Sequence, residues 1–514
     1  MRAGRTDPGL RFLRGLLPAL AAALLPACGG VGGRGASTVR GLPPPSTRAA
    51  AVRKVEAALS RLEGTRALRH ARLGFWLQAV DEEAPLAQRR GTEGFLPASN
   101  LKLISSAVAL LVHGRAFRYH TKLEAHGPIE GGRLRGDLVL VGDGDPTLGA
   151  LAFSKEGQTA VFERMAASLK KAGILEVSGD VLGLDDCQPD EIMGEGWDWS
   201  YQSDWYAAQI SGLCFNENCI DLIFDGTAEG MAPRIRLEPD TEYVTIRNKV
   251  RCRSGGPKGV FYRRRRGTNR ILVTGSLSPK TRGKRDWASV ENPTAFAATV
   301  LAETLVRSGV KVRGKALDAD ESEGWKRGKP LLTVHDHPSP TMGEILVSMN
   351  RRSQNLYAEE VLRSAARLRL GEGSMKAARR AAEAVLRGLG LDTEGLHLAD
   401  GSGLSRLNRV EPRHLGRLLV AMAGRPEGAF YRSTLPAPGE GTLRRRFGGG
   451  SPARGRLRAK TGTLSRVVAL SGYFEREGRA PMAFVILVNG FLAPSSEVRA
   501  AVDRFLEEIL RLFP

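Results

Sequence analysis

FLPASNLKLISSAVAL, residues 95–110, is the stretch that decides the fold. Pro97 interrupts the chain just before an almost continuous apolar run, which predicts a helix over residues 99–113. A serine at a helix start lies among free backbone N–H groups, and a residue one turn later shares its face of the helix. Ser99 and Lys102 are therefore placed as a hydroxyl beside an amine, the arrangement that nucleophilic catalysis requires.

Toward the N-terminus, a basic start precedes an apolar run over residues 16–27, typical of a secretory signal over residues 1–28. This predicts an exported protein of the periplasm or cell envelope. The apolar run is too short to span a bilayer comfortably. It ends at Cys28 in a stretch that resembles a bacterial lipoprotein box and predicts a lipid tether there. A plain signal peptide cut near Ala27 stays an open alternative.

The rest of the chain divides into segments that differ in composition and in predicted secondary structure. Residues 29–47 form a Gly/Pro-rich linker, and 125–335 a β-rich insert, predicted as two nested subdomains. The insert separates a first catalytic segment, 48–124, from a second, 336–514. Predicted helices cover 50–62, 158–172, 341–369, 375–389, 413–423 and 496–512, and predicted strands cover 70–80, 457–464, 467–475 and 481–490. The sequence thus predicts an α+β fold interrupted by a β-rich insert.

The 514-residue chain carries 76 basic and 55 acidic residues, a formal charge of +21. Such a surface attracts anionic polymers. Arginine runs at 263–266 and 444–446 raise nucleic-acid binding as an alternative, which the export signal argues against. His335-Asp336-His337 is followed directly by Pro338 and is interpreted as an interdomain connector, not a metal site.

Four cysteines remain after Cys28 is set aside: Cys187, Cys214, Cys219 and Cys252. An even number in an exported chain is compatible with one or two disulfides of undetermined pairing, or with four buried thiols.

Two further motifs follow the first in order: Ser353-Gln354-Asn355 and Lys460-Thr461-Gly462-Thr463. Burial and a second cation both disfavour an ammonium, so Lys460 is a candidate to help Lys102 act as base. Decoys exist at Ser168, an S-x-x-K on an amphipathic helix, and at Ser348 in an S-x-N. Singly, each motif residue is better explained as a cap, turn or surface residue, but three motifs in order favour catalysis.

These motifs, together with GDGDPTL, SGLCFNENCIDL, LADGSGLSR and GEGTLRRRF, resemble the D-alanyl-D-alanine carboxypeptidase/endopeptidase family of class C low-molecular-mass penicillin-binding proteins, peptidase family S13. The resemblance runs from about residue 50 to the end of the chain. It implies a penicillin-binding, β-lactamase-like transpeptidase domain, in which a helical cluster lies against a five-stranded antiparallel sheet. The family usually has Asp where this chain has Gln354.

The resemblance also implies roles. Ser99 is the acylated nucleophile, Lys102 its base, and Ser353 a proton relay. The substrate side comprises Asn355, Lys460, Thr461, Gly462 and Thr463. The backbone N–H groups of Ser99 and Thr463 are candidates for the oxyanion hole. The loop at 400–406 is a candidate cleft border. Peptidoglycan stem peptides are the expected substrates and β-lactams the expected covalent inhibitors, and no metal or organic cofactor is required.

Two other functions stay open at this point. A serine β-lactamase uses the same motifs, although the long insert argues against it. A non-catalytic peptidoglycan-binding protein of the same fold would not need intact Ser99, Lys102 and Lys460.

Overall fold

A computed structural model describes residues 45–514, with side chains from residue 48 onward. The predicted signal segment, Cys28 and nearly all of the predicted linker lie outside these residues. The described helices are α1 Pro45–Glu63, α2 Lys102–His113, α3 Ala160–Lys171, α4 Pro293–Arg307, α5 Met342–Arg352, α6 Asn355–Leu370, α7 Met375–Gly388, α8 Pro412–Ala423, α9 Gly428–Thr434 and α10 Ser495–Leu512.

The described strands are β1 Arg72–Ala79, β2 Ala87–Arg89, β3 His120–His126, β4 Ile129–Glu130, β5 Arg133–Leu134, β6 Asp137–Val141, β7 Glu176–Val177, β8 Val181–Leu184, β9 Cys219–Asp225, β10 Arg234–Glu238, β11 Thr245–Asn248, β12 Arg251–Cys252, β13 Gly259–Arg264, β14 Arg270–Leu277, β15 Lys284–Ser289, β16 Lys311–Val312, β17 Ala316–Asp318, β18 Leu332–Pro338, β19 Leu457–Leu464, β20 Val467–Arg476 and β21 Arg479–Asn489.

A five-stranded antiparallel sheet in the order β19-β20-β21-β1-β2 joins the two ends of the chain. Its central strands are apolar on both faces because helices cover both. Helices α1 and α10 pack against one face of this sheet and form an apolar core with it. Helices α2 and α5 to α8 pack against the other face and form a second core. The predicted fold class, α+β with a helical cluster on a five-stranded sheet, is confirmed. This sheet leaves β19 at an edge.

The region between α2 and α5 is built from small sheets around a main apolar core that includes α3 and α4, and a smaller apolar cluster involves β6 and β8. One sheet has the order β17-β8-β6-β3-β18, in which β3 and β18 pair antiparallel. The predicted domain limits at 124/125 and 335/336 fall inside these two paired strands, because register and not composition fixes where a strand ends. The division into domains itself stays a prediction.

The structure corrects the single helix predicted over 341–369. Helix α5 ends at its C-cap residue Ser353, which has a left-handed φ of +61°, and α6 starts two residues later. The segment around His335-Asp336-His337 is the paired strand β18, not a free connector. Among residues 45–514, Cys187, Cys214, Cys219 and Cys252 are all free thiols, so the disulfide alternative is wrong for them. No described helix has the length and apolarity needed to cross a bilayer.

Candidate active site

Ser99 lies in a tight turn at the start of α2. Residues 98–101 form a 3₁₀ turn, and Ala98 before the serine adopts a φ of +45°. A non-glycine residue in this region is held there by its surroundings. The Ser99 hydroxyl is only half buried, and Lys102 Nζ donates a hydrogen bond to its Oγ at 3.0 Å.

Lys102 is fully buried and has two further acceptors around its amine. Nζ donates to Asn355 Oδ1 at 2.6 Å and to the Ser402 carbonyl at 2.7 Å. Burial lowers the pKa of Lys102 to about 7, although the negative charges of Asp400 and Glu359 partly oppose this shift. Because that pKa is near neutral pH, the amine is available as a base where an ordinary lysine is not.

A second amine and hydroxyl form a matching pair. Lys460 is also fully buried, on the edge strand β19, and its Nζ donates to Ser353 Oγ at 2.8 Å and to the Thr461 carbonyl at 2.9 Å. Burial, and then the nearby charge of Lys102, hold the pKa of Lys460 well below its usual range. We expected burial and the Lys460 cation together to lower the pKa of Lys102; burial lowers it, and the charge effect acts in the other direction, from Lys102 on the pKa of Lys460.

Asn100 and Asn355 tie these pairs to the rest of the fold. Asn100 Nδ2 donates to the Lys460 carbonyl at 2.9 Å, and Ser471 Oγ donates to Asn100 Oδ1 at 2.6 Å. Asn355 Nδ2 donates to the Tyr206 carbonyl at 2.7 Å, which brings the inserted region to the site. Asn100 was not singled out from the sequence, because an asparagine between two motif positions carries no distinguishing spacing.

The remaining residues of the third motif lie on β19 against the turn that holds Ser99. A Cβ on Gly462 would come within 2.9 Å of the Pro97 carbonyl oxygen, so only glycine permits this approach. Thr461 Oγ1 donates to Thr442 Oγ1 at 2.7 Å, whereas Thr463 is exposed on the free edge. The strand therefore presents its edge beside Ser99.

The loop at 400–406, a candidate cleft border from the family resemblance, lies beside Ser99 and Lys102. Asp400 accepts hydrogen bonds from the backbone N–H groups of Gly403 and Ser405 at 2.8 and 2.6 Å, and from Trp197 Nε1 at 2.9 Å. Gly403 has a φ of +85°, and a Cβ there would lie 1.9 Å from the Ala98 carbonyl oxygen. The loop thus packs directly against the turn before Ser99.

Glu359 is a participant that the sequence did not reveal. This buried carboxylate on α6 accepts from the N–H groups of Gly401 and Ser402 at 2.8 and 2.9 Å, which aims the Ser402 carbonyl at Lys102. Burial and the nearby charge of Asp400 raise its pKa to about 7. The signal that was available is its position one helical turn after Asn355, on the same face of a helix.

The decoy motifs lie elsewhere in environments of their own. Ser168 on α3 forms a 2.9 Å hydrogen bond with His335 Nδ1, and Ser348 is on α5. In contrast, Lys102 bonds Ser99 and Asn355 in one group, and Lys460 bonds Ser353 in another. Asn100, which follows Ser99 in the chain, brings the two groups together through its bond to the Lys460 carbonyl.

Comparison with known proteins gives concordant results. A profile of the D-Ala-D-Ala carboxypeptidase 3 (S13) family matches residues 55–509. A D-alanyl-D-alanine carboxypeptidase of Actinomadura sp. (strain R39) is 35% identical over 433 residues, covering 81% of this chain and 77% of that protein. The D-alanyl-D-alanine carboxypeptidase DacB of Haemophilus influenzae is 26% identical, covering 82% of this chain and 85% of that protein.

A solved structure shares the fold. The crystal structure of penicillin binding protein 4 (dacB) from Haemophilus influenzae superposes with a TM-score of 0.75 at 24% identity, covering 89% of this chain and 98% of that one. The family expected from the three motifs and the further matching stretches is therefore confirmed. The chain belongs to the D-Ala-D-Ala carboxypeptidase 3 (S13) family of peptidases.

Proposed function

We propose that this protein is a serine-type D-Ala-D-Ala carboxypeptidase, D,D-endopeptidase or both, acting on peptidoglycan stem peptides. The observation that carries the proposal is the hydrogen bond from the buried amine of Lys102 to the half-buried hydroxyl of Ser99. A lysine with a pKa near 7 beside a serine at a helix start is a base and a nucleophile within reach of each other.

In the proposed reaction, Lys102 removes the Ser99 proton and the oxygen attacks the carbonyl of the penultimate D-alanine. The backbone N–H groups of Ser99 and Thr463 stabilise the oxyanion. The peptide C–N bond then breaks, and the leaving amine takes a proton relayed through the Ser353 hydroxyl, which Lys460 holds. Water hydrolyses the resulting Ser99 ester and releases the shortened peptide.

Substrate is proposed to lie along the free edge of β19, paired by main-chain hydrogen bonds. Its terminal carboxylate meets Lys460, Thr461 and Thr463, and Asn355 holds a substrate amide. Gly462 allows the strand to approach the nucleophile closely. A β-lactam would occupy the same position and acylate Ser99, and the reaction requires no metal or organic cofactor.

The place of action is proposed from the sequence of residues 1–28, which lie outside the described structure. An exported enzyme of the periplasm or cell envelope would meet peptidoglycan there, with or without a lipid tether at Cys28. The division into a catalytic domain of two segments, 48–124 and 336–514, around a 125–335 insert belongs to the same proposal.

The test compares Ser99→Ala with Ser168→Ala, because both serines occur in an S-x-x-K motif but only Ser99 has the buried amine beside it. We expect Ser99→Ala to lose labelling by fluorescent penicillin and release of D-alanine from diacetyl-lysyl-D-alanyl-D-alanine. Ser168→Ala should retain both activities.

Three results would contradict the proposal. Labelling that persists in Ser99→Ala would show that a residue other than Ser99 is the nucleophile. Fast turnover of a chromogenic β-lactam with no D-alanine release would indicate a β-lactamase. Absence of both reactions in the folded wild-type protein would indicate a non-catalytic peptidoglycan-binding protein.

A further inference from the structure

A cavity of about 330 Å³ adjoins the reaction centre on the side of Thr461. Its walls come from the inserted region, from the end of α5 and from the turn before β19. The residues that matter for its chemistry are Trp205, Trp287, Arg351, Arg352, Gln354 and Thr442. None of them has a part in the proposed mechanism.

Two contacts connect this cavity to the reaction centre. Gln354 lies between Ser353 and Asn355 in the chain, and its side chain turns toward the cavity to donate to the Glu217 carboxylate. Thr442 accepts the hydrogen bond from Thr461 on the other wall. The cavity therefore lies next to the position where the carboxylate of the leaving residue is expected.

The side chains that line the cavity are chemically complementary to a ligand that is partly apolar and partly anionic. Trp205 and Trp287 are each large but remain 38% and 40% exposed, leaving aromatic surface open for packing. Glu217 accepts from Arg352 at 2.8 and 3.1 Å and from Tyr357 at 2.8 Å, so its charge is already compensated.

Arg351 supplies a positive charge that is less completely compensated by neighbouring acceptors than that of Arg352. Its guanidinium donates to the Ser433 carbonyl at 3.2 Å and stands 3.7 Å from Glu440, while its Nε is buried without a partner. An arginine is well suited to bind a carboxylate in two-pronged geometry.

From these observations we propose that the cavity is the leaving-group subsite, which binds the amine-bearing stem peptide of a cross-linked substrate. This inference rests on the proposed function and decides between its two forms. A departing D-alanine has only a methyl group beyond its carboxylate and would leave the cavity empty. A cross-linked leaving group continues as a peptide chain with further carboxylates, which fits tryptophan faces beside Arg351.

The experiment measures two substrates with the same enzyme preparations. Purified cross-linked muropeptide dimer and monomeric pentapeptide are incubated with wild type, Trp287→Ala and Arg351→Ala, and products are quantified by mass spectrometry. We expect each variant to lose about tenfold or more in dimer cleavage, the usual scale for removing a subsite contact, while D-alanine release changes less than about twofold.

Trp199→Ala is the matched control, since Trp199 is 67% exposed and packs under Arg266 away from the cavity. It should cleave both substrates as wild type does. Fluorescent-penicillin labelling of each variant checks that the fold and Ser99 remain intact.

Equal losses on both substrates, or undiminished dimer cleavage in both cavity variants, would overturn the subsite. A wild-type enzyme that releases D-alanine but never cleaves the dimer would also overturn it and leave the proposed carboxypeptidase standing. Failure of the proposed function itself looks different, because the wild-type protein would then process neither substrate.

Discussion

Lys102 Nζ has three hydrogen-bond partners: Ser99 Oγ, Asn355 Oδ1 and the Ser402 carbonyl. A neutral amine has two N–H groups and one lone pair, whereas an ammonium has three N–H groups and no acceptor. Asn355 Oδ1 and the Ser402 carbonyl are pure acceptors and take two N–H groups. The ammonium donates to all three partners, whereas the neutral amine keeps these two N–H bonds and turns its lone pair to Ser99, whose hydroxyl then donates to Nζ. Acceptors other than Ser99 thus orient the base before substrate arrives.

The first prediction at the residue scale concerns pH. Lys102 must be neutral to act, and its pKa is lowered from 10.5 to about 7, so the acylation rate should rise with pH up to about 7 and level above it. Below that pH the rate should fall about tenfold per pH unit. Stopped-flow measurement of acylation by a fluorescent penicillin provides the profile.

Glu359 titrates in the same range, with a pKa raised to about 7, and Lys460 is a second buried amine with a lowered pKa. Lys102→Ala separates these groups, because its residual acylation should lack the inflection if Lys102 is the titrating base. A wild-type profile with no inflection near pH 7 would be inconsistent with a neutral Lys102. So would a rate that rises only as the pH approaches 10.5.

At the scale of elements, the loop at 400–406 acts as a clamp between α6 and the turn that carries Ser99. Glu359 on α6 holds two of its N–H groups, Asp400 holds two more, and Gly403 touches the Ala98 backbone. The direction of the Ser402 carbonyl, and so one of the acceptors of Lys102, depends on this clamp. Asp400 and Glu359 are positioning residues in this account.

Asp400→Asn tests the clamp. Both Asp400 oxygens accept hydrogen bonds in a buried site, so an amide group must turn an N–H toward another donor. We expect the free energy of unfolding to fall by about 1–3 kcal/mol and acylation to slow. Because Asp400 raises the pKa of Lys102, the inflection of the pH profile should also move to lower pH.

The shift in the inflection separates positioning from a general loss of stability, which would leave it in place. Asp240→Asn, a change of the same type at an exposed site, is the control for denaturation and kinetics. An Asp400→Asn protein with wild-type stability and an unmoved inflection would refute the clamp.

The elements differ in how far their sequences could predict them. The strands β19, β20 and β21 were predicted within two residues, because apolar runs bounded by turn residues mark buried strands. The break between α5 and α6 was not, since Arg352, Ser353 and Gln354 include no glycine or proline. Its left-handed Ser353 is imposed by tertiary contacts, among them the Lys460 hydrogen bond, and local sequence does not record these.

For the whole molecule, the sequence motifs assigned no site residue to the inserted region, whereas the structure brings part of that region to the site. Trp197 Nε1 donates a hydrogen bond to Asp400, and Asn355 Nδ2 donates one to the Tyr206 carbonyl. Short motifs identify the residues of the two catalytic segments, but contacts between residues more than 140 positions apart leave no periodic signal. The insert therefore helps to build the active site and one wall of the adjoining cavity.

The cysteines carry the last prediction for the whole molecule. Apolar cores, and not covalent bridges, hold the described part of the chain, and Cys187, Cys214, Cys219 and Cys252 are free within it. Cys214 and Cys219 are buried, and burial raises the pKa of both thiols and takes that of Cys187 to about 12. Thiolate, the reactive form, is therefore scarce at these three positions, and Cys252 is buried away from reagents.

We expect protein purified without reductant to have the same melting temperature with and without dithiothreitol. Iodoacetamide should modify these four positions slowly in the native protein and fully after denaturation without reductant, as read by peptide mass mapping. The denatured sample is the internal control for reagent activity. A melting temperature that falls on reduction, or a peptide pair that resists alkylation until reduced, would show a bridge and contradict the four free thiols.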